Sequence, residues 1–280
     1  MIFRQLFEPD SSTYTYLLAC PDTGTAVLID PVIDTVEHDL ELIQKLQLKL
    51  AYTIDTHVHA DHLTGARVLR NKTGCQVAFP EVEMPECADI AMKEGVPFKF
   101  GSIILDPLFT PGHTSHHFAY RLDDGTQTRV FTGDALLIDG CGRTDFQSGD
   151  AATLYRSIRE KLFTLADETL VYPGHDYNGR QVSSIGQEKA RNPRLGVDKS
   201  EAEFISIMQE LNLPYPRKLD FAVPGNEQCG KCPDNVPAEF QGPCHRFDQV
   251  SRKTRFACFN IVSRPQWRLY LLTLGFVSLI

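Results

Sequence analysis

Thr56-His57-Val58-His59-Ala60-Asp61-His62 is the stretch on which the reading of this chain turns. Four side chains able to hold a metal ion fall within six residues, from His57 to His62, far more than a surface loop needs. Residues 51–55, just before it, read as a strand. In an extended segment alternate side chains share a side, so His57 and His59 can point into one cavity. Asp61 and His62 follow where the chain turns toward a helix, and can aim at a neighbouring point in that cavity.

Working outward, three further polar clusters each fall where a predicted strand ends: Thr110-Pro111-Gly112-His113-Thr114, Thr132-Gly133-Asp134 and Pro173-Gly174-His175-Asp176-Tyr177. Imidazole and carboxylate are the usual ligands of zinc, iron and manganese, and ligands gathered from several strand ends make a rigid, open site. Any one of these histidines alone would read as a hydrogen-bonded structural residue. Their type, order and placement together point to a metal centre. His38, His116, His117 and His245 stay in the structural class, although His116 or His117 could line the pocket.

The remaining pattern supplies the frame. Residues 2–7, 13–20 and 25–30 read as consecutive strands rich in Tyr, Thr, Leu and Val, with a turn at Pro21-Asp22-Thr23-Gly24. Val36, Leu40, Ile43 and Leu46 recur at helical spacing and predict a helix over 35–48. Helices are also predicted over 64–72, 151–163, 184–191 and 200–211, and strands over 76–79, near Phe98, and over 103–109, 117–122, 129–132 and 170–172. Such a mixture suits two packed sheets with helices outside. After about Asn212 proline becomes frequent, periodicity fades, and an irregular extension is expected.

Composition narrows the partners. The formal charge of −8 and the pI near 5.6 describe a surface that repels phosphate backbones, so nucleic acid is not expected. The apolar stretch 269–280 is much shorter than a bilayer span, so no membrane segment is expected. MIFRQLFEPD does not read as a targeting peptide, and a cytoplasmic protein is expected.

HxHxDH followed by a Gly-His, a Gly-Asp and a later Gly-His resembles the metallo-β-lactamase superfamily over about residues 1–230, leaving 231–280 as a C-terminal extension of unassigned role. The resemblance implies an α/β αββα sandwich with metals at one edge of the sheets. In the two-metal hydrolases of that superfamily, His57, His59 and His113 would hold one metal, Asp61, His62 and His175 the other, and Asp134 would bridge them.

Two subfamilies share these residues: glyoxalase II-type thioesterases and persulfide dioxygenases. Gly140-Cys141-Gly142-Arg143-Thr144-Asp145-Phe146-Gln147 and His175-Asp176-Tyr177-Asn178-Gly179 resemble the dioxygenase pattern. So do Asn192-Pro193-Arg194 and the segment 222–230, although Gly225 stands where Ala is common. The helical, basic C-terminal domain of glyoxalase II is not recognisable. The dioxygenase resemblance implies one Fe(II) per chain on His57, His113 and Asp134, with positions open to substrate and O₂. Glutathione persulfide would bind through its terminal sulfur and leave as sulfite and glutathione. His59, Asp61, His62 and His175 would orient the ligands and shape the field around the iron. The alternative is a binuclear zinc or mixed-metal centre hydrolysing an acyl-glutathione thioester. A homodimer is implied by resemblance only.

Arg143 is a candidate for a glutathione carboxylate, against an ion pair with Asp145 as the plain alternative. Tyr177 is a candidate to hydrogen-bond substrate, and Asn226 a weaker one. Asp145 and Asp176 read as loop-holding groups. Eight cysteines are too sparse for a disulfide scaffold. Cys229, Cys232 and Cys244 are expected as free thiols, with a structural zinc as the second reading; Cys20, Cys75 and Cys87 read as fillers, and Cys141 as packing beneath the site.

Overall fold

In a computed structural model, residues 1–234, 236–244 and 246–247 are described. The tail after His245, for which the sequence suggests no role, lies outside them apart from Arg246 and Phe247. The chain divides into a unit Met1–Pro237 and a unit Ala238–Ile280. The described part of the second unit includes a short 3₁₀ turn, Ala238–Phe240.

Two six-stranded sheets make up the first unit, each with its strands in chain order. The first runs β1 (Ile2–Glu8), β2 (Thr13–Ala19), β3 (Thr25–Ile29), β4 (Lys49–Ile54), β5 (Gln76–Pro80) and β6 (Ile90–Met92). Its first three strands pair antiparallel, and β3 to β6 pair parallel. The second sheet runs β7 (Phe98–Phe100), β8 (Ile103–Phe109), β9 (Phe118–Asp123), β10 (Thr128–Gly133), β11 (Leu170–Pro173) and β12 (Ser183–Ser184). There only β10 and β11 pair in parallel. Parallel pairing needs a crossover, and α1 (Val36–Lys45) and α2 (Ala66–Thr73) supply two of them, packing on β4 and β5.

The sheets meet through Tyr16, Leu18 and Ile54 of one and Tyr120, Phe131 and Tyr172 of the other. The outer face of the second sheet packs Val130 and Val171 against Leu154 of α3 (Ala151–Ser157), Ile158 and Leu162 of the π-helical turn that prolongs it, and Phe204 of α5 (Glu201–Gln209). All residues of β2 are buried, as expected of a strand covered on both faces. Helix starts follow local chemistry. Asp150 and Ser184 cap α3 and α4 (Ile185–Arg191), and Ser200 with Glu203 forms a capping box for α5. The sandwich expected from resemblance is therefore the observed architecture.

The structure differs from expectation beyond Asn212. Residues Leu219–Asn226 form a helix, α6, with Pro224 inside it. Its sequence has little helical periodicity, because proline removes a hydrogen bond and only a short stripe faces inward. Burial of Phe221, Ala222 and Asn226 against the rest of the unit decides the matter.

Candidate metal centre

The loops that follow β4, β8, β10 and β11 bring the four polar clusters to one edge of the sandwich. Between Asp134 and His175 the backbones approach too closely for ordinary residues. A Cβ on Gly174 would lie 2.5 Å from Asp134 Oδ1, and Gly133, at φ +47°, passes a Cβ's breadth from the His117 ring.

His57, His113 and Asp134 offer ligand atoms all within 4.8 Å of one another, and so do His59, Asp61 and His62. Asp134 links the two groups, with one oxygen 3.5 Å from His113 Nε2 and the other 3.4 Å from His175 Nε2. His175 Nε2 also lies 3.6 Å from Asp61. Every histidine and carboxylate assigned to the centre from the sequence thus converges there.

The hydrogen-bond network fixes which nitrogen of each ring is available. His113 Nδ1 lies 2.7 Å from the Arg143 carbonyl and His175 Nδ1 3.2 Å from the Ser12 carbonyl; a carbonyl can only accept, so both Nδ1 atoms carry the proton. Thr56 spends its hydroxyl proton on Asp30 at 2.9 Å, so it accepts from His57 Nδ1 at 2.9 Å. In all three rings Nε2 is therefore the nitrogen turned toward the cavity. His59 is reversed: Nε2 faces Asp30 at 3.1 Å, and its buried Nδ1 has no hydrogen-bond partner. His62 Nδ1 pairs with Asp61 at 2.9 Å, leaving a buried Nε2 equally unpartnered, as is Asp134 Oδ1. Buried polar atoms are rarely left without partners, so these atoms describe a cradle that a cation fits.

Electrostatics agree. Burial, reinforced by the neighbouring His59 and His113, holds the His57 pKa far below normal, keeping it the neutral imidazole a metal requires. Burial opposes ionisation of Asp61, but the His62 and His175 rings outweigh it and hold the carboxyl well below the usual range. Burial also depresses His59, yet Asp30, Asp61 and Asp55 outweigh it and lift the ring to about 9. A cation at His59 Nδ1 must therefore displace a proton.

Asp30 escaped the sequence reading. It sits at the end of β3 at φ +50°, buried, and accepts from Thr56 N, Thr56 Oγ1 and His59. The apolar run Val27-Leu28-Ile29 that ends abruptly in an acid was the available signal. Thr13, whose hydroxyl donates to Asp61 at 3.1 Å, carried no signal at all.

A cavity of about 520 Å³ opens over the cluster, and its wall includes Arg143, Tyr177, Arg180, Arg194 and Leu213. Tyr177 is 72% exposed and lies parallel to the His175 ring at 6.0 Å. Arg143 is committed elsewhere. Its guanidinium meets both oxygens of Asp145 at 2.6 and 2.7 Å, donates to the Pro214 carbonyl, and lies over the Phe146 ring. Asp176 does hold its loop, accepting from Asn178 and Arg180.

Two expectations fail. Asn226 is not a substrate ligand: it is buried away from the cavity wall, donates to the carbonyls of His59 and His62 at 2.8 Å each, and accepts from Thr64 N at 2.9 Å. It clasps the metal loop from behind. Nor are the C-terminal cysteines free. Cys229 is bridged to Cys87 across 142 residues, and Cys232 and Cys244 are disulfide-bonded as well, which leaves neither thiols nor a zinc knuckle. Spacing cannot reveal a partner brought close only by folding. Cys20, Cys75 and Cys141 are free and buried, Cys141 against Met208 below the site.

Residues 9–175 match the model of the metallo-β-lactamase superfamily. The chain is 49% identical over 231 residues to the mitochondrial persulfide dioxygenase ETHE1 of Mus musculus, covering 82% of this chain and 89% of that one. Among solved structures, the crystal structure of ETHE1 from Myxococcus xanthus superimposes with a TM-score of 0.79 at 52% identity, covering 82% of this chain and all of that one. A hydroxyacylglutathione hydrolase of Methylococcus capsulatus is more distant, at 36% identity over 59% of this chain. The chain belongs to the metallo-β-lactamase superfamily and, within it, to the persulfide dioxygenases.

Proposed function

We propose that this protein oxidises glutathione persulfide with O₂ to sulfite and glutathione, using one Fe(II) per chain held by His57, His113 and Asp134. The observation that carries the reading is the ligand set itself. Two imidazoles turn Nε2 toward one carboxylate, all within 4.8 Å, and the cavity opens over them. Two histidines and a carboxylate with vacant positions suit non-haem ferrous iron. A bound ferrous ion supplies the redox chemistry through which closed-shell sulfur and O₂ can react. The protein's part is positional. Thr56 and the Arg143 carbonyl hold the His57 and His113 rings in the right tautomer. Tyr177, Arg180 and Arg194 line the wall a glutathione moiety would meet.

A second reading rests on His59, Asp61 and His62, whose grouped donors could hold another ion and so support thioester hydrolysis at a binuclear centre. The deciding experiment is O₂ uptake by anaerobically iron-loaded protein given glutathione persulfide, with sulfite and metal content measured together. Stoichiometric O₂ loss and sulfite with about one iron per chain is expected. No uptake, with two ions bound and lactoylglutathione hydrolysed, would transfer the chain to the thioesterases. Homodimerisation is proposed for sedimentation analysis. A cytoplasmic location is proposed for fractionation, and the Cys87–Cys229 bridge weighs against it, because reducing compartments disfavour disulfides.

A further inference from the structure

The segment between β4 and α2 that carries the clustered ligands is neither strand nor helix, so no ladder satisfies its buried backbone. Val58 stands between His57 and His59 and is itself buried. Its N–H, part of the peptide joining it to His57, donates to His116 Nε2 at 2.8 Å. Its carbonyl, part of the peptide joining it to His59, accepts from Gln147 Nε2 at 2.7 Å. Each of the two peptide planes flanking Val58 is therefore held by one side chain from a different loop. Together they set the torsions at Val58, and with them the angle between the two histidines on either side.

The clamp is braced in turn. Because His116 Nε2 accepts, the neutral ring carries its proton on Nδ1, which lies 3.1 Å from Glu83 Oε2. Ser115 Oγ donates to the other Glu83 oxygen at 2.7 Å, and Ser115 N to the Gln147 carbonyl. Glu83 and Gln147 both adopt positive φ, +60° and +49°, a conformation that side-chain-bearing residues keep only where surroundings enforce it.

We propose that Gln147 and His116 are positioning residues for the metal centre, fixing the two Val58 peptides so that His57 turns its Nε2 toward His113 and Asp134 at the required angle, with Glu83 beside the other nitrogen of His116. This gives a task to the glutamine that ends the segment Gly140–Gln147. The inference builds on the metal-centre reading under Proposed function, but its test does not need turnover.

Cobalt(II) replaces iron as the probe in the full-length protein, with affinity from chelator competition and geometry from the visible absorption bands. Gln147→Met and His116→Leu are each expected to weaken cobalt binding about tenfold and shift the bands, with apo-protein melting lowered only by the one backbone group each leaves unpaired. His116→Gln, which returns an acceptor to Val58 N–H, is expected to restore affinity to within about twofold and the bands with it. Wild-type affinity and spectrum in both Gln147→Met and His116→Leu would overturn the proposal, as would a His116→Gln protein no better than His116→Leu. If His116→Leu fails to fold, Gln147→Met and the nearly isosteric Gln147→Glu, which has no donor when ionised, decide alone by the same readouts. Absence of persulfide-dependent O₂ uptake in the wild type would retire the dioxygenase reading and leave the cobalt results standing.

Discussion

The two sheets have equal numbers of strands and contribute to the centre in opposite ways. The first delivers His57, His59, Asp61 and His62 on a single loop after β4, whereas the second delivers His113, Asp134 and His175 one at a time after three strands. A contiguous loop needs little help from topology to gather its ligands, but it needs many side-chain clasps to hold an irregular backbone. Asp30, His116, Gln147 and Asn226 all serve it. The second sheet is the reverse case. Parallel β10 and β11 fix Asp134 and His175 through their own register, and glycines at the crossing let them approach.

The comparison breaks first at Asp134. Removing this carboxylate as Asp134→Ala should cost metal affinity and activity together, by more than about 100-fold, since a ligand matters more than the groups that orient it. Retained iron with full turnover would show that the second sheet is dispensable to the centre.

Asn226→Ala probes the first sheet's dependence on clasps. It leaves the carbonyls of His59 and His62 and the amide of Thr64 unpaired, and should cost about 3 kcal/mol in urea unfolding of the apo-protein. A loss below ~1 kcal/mol would mean that the loop holds itself. The Cys87–Cys229 bridge lies just beyond the same clasp, and replacing both cysteines by alanine should lower stability by roughly 2–4 kcal/mol. A melting temperature indifferent to the double replacement would argue that the bridge constrains nothing.

Asp39 tests the supporting layer, away from the metal. Burial pushes its carboxyl up to about 6 despite hydrogen bonding from Thr35. The folded state then binds the proton more tightly than the unfolded chain, whose carboxyl titrates near ~3.9. Stability from this group is present below that value and lost as pH rises through about 6. Asp39→Asn should accordingly stabilise the protein at pH 8 by on the order of 1–2 kcal/mol and leave it unchanged near pH ~4. Equal effects at both pH values would contradict the burial argument.

The smallest effect is expected at Arg143→Ala. The backbone carbonyl that orients His113 survives the substitution, so metal content should hold while KM for glutathione persulfide rises a few-fold. An unchanged KM would assign the guanidinium wholly to Asp145.

The sequence by itself determined the metal centre, because its ligands are chemically unusual residues repeated at strand ends. The mixture of strand-like runs and interspersed helices around them also suits two packed sheets with helices outside. Most helices were legible in the sequence, whereas the capping box at Ser200 and Glu203 emerged only in the structure. Only the tertiary structure decided what holds those ligands. Asp30 reads as the end of a strand and Asn226 as a polar residue near a prospective pocket, until folding places both against the metal loop. The Cys87–Cys229 bridge and α6 belong to the same class. Local pattern records a residue's own periodicity and turn chemistry. A partner 142 positions away leaves no mark on it, since that contact exists only once the intervening chain has closed.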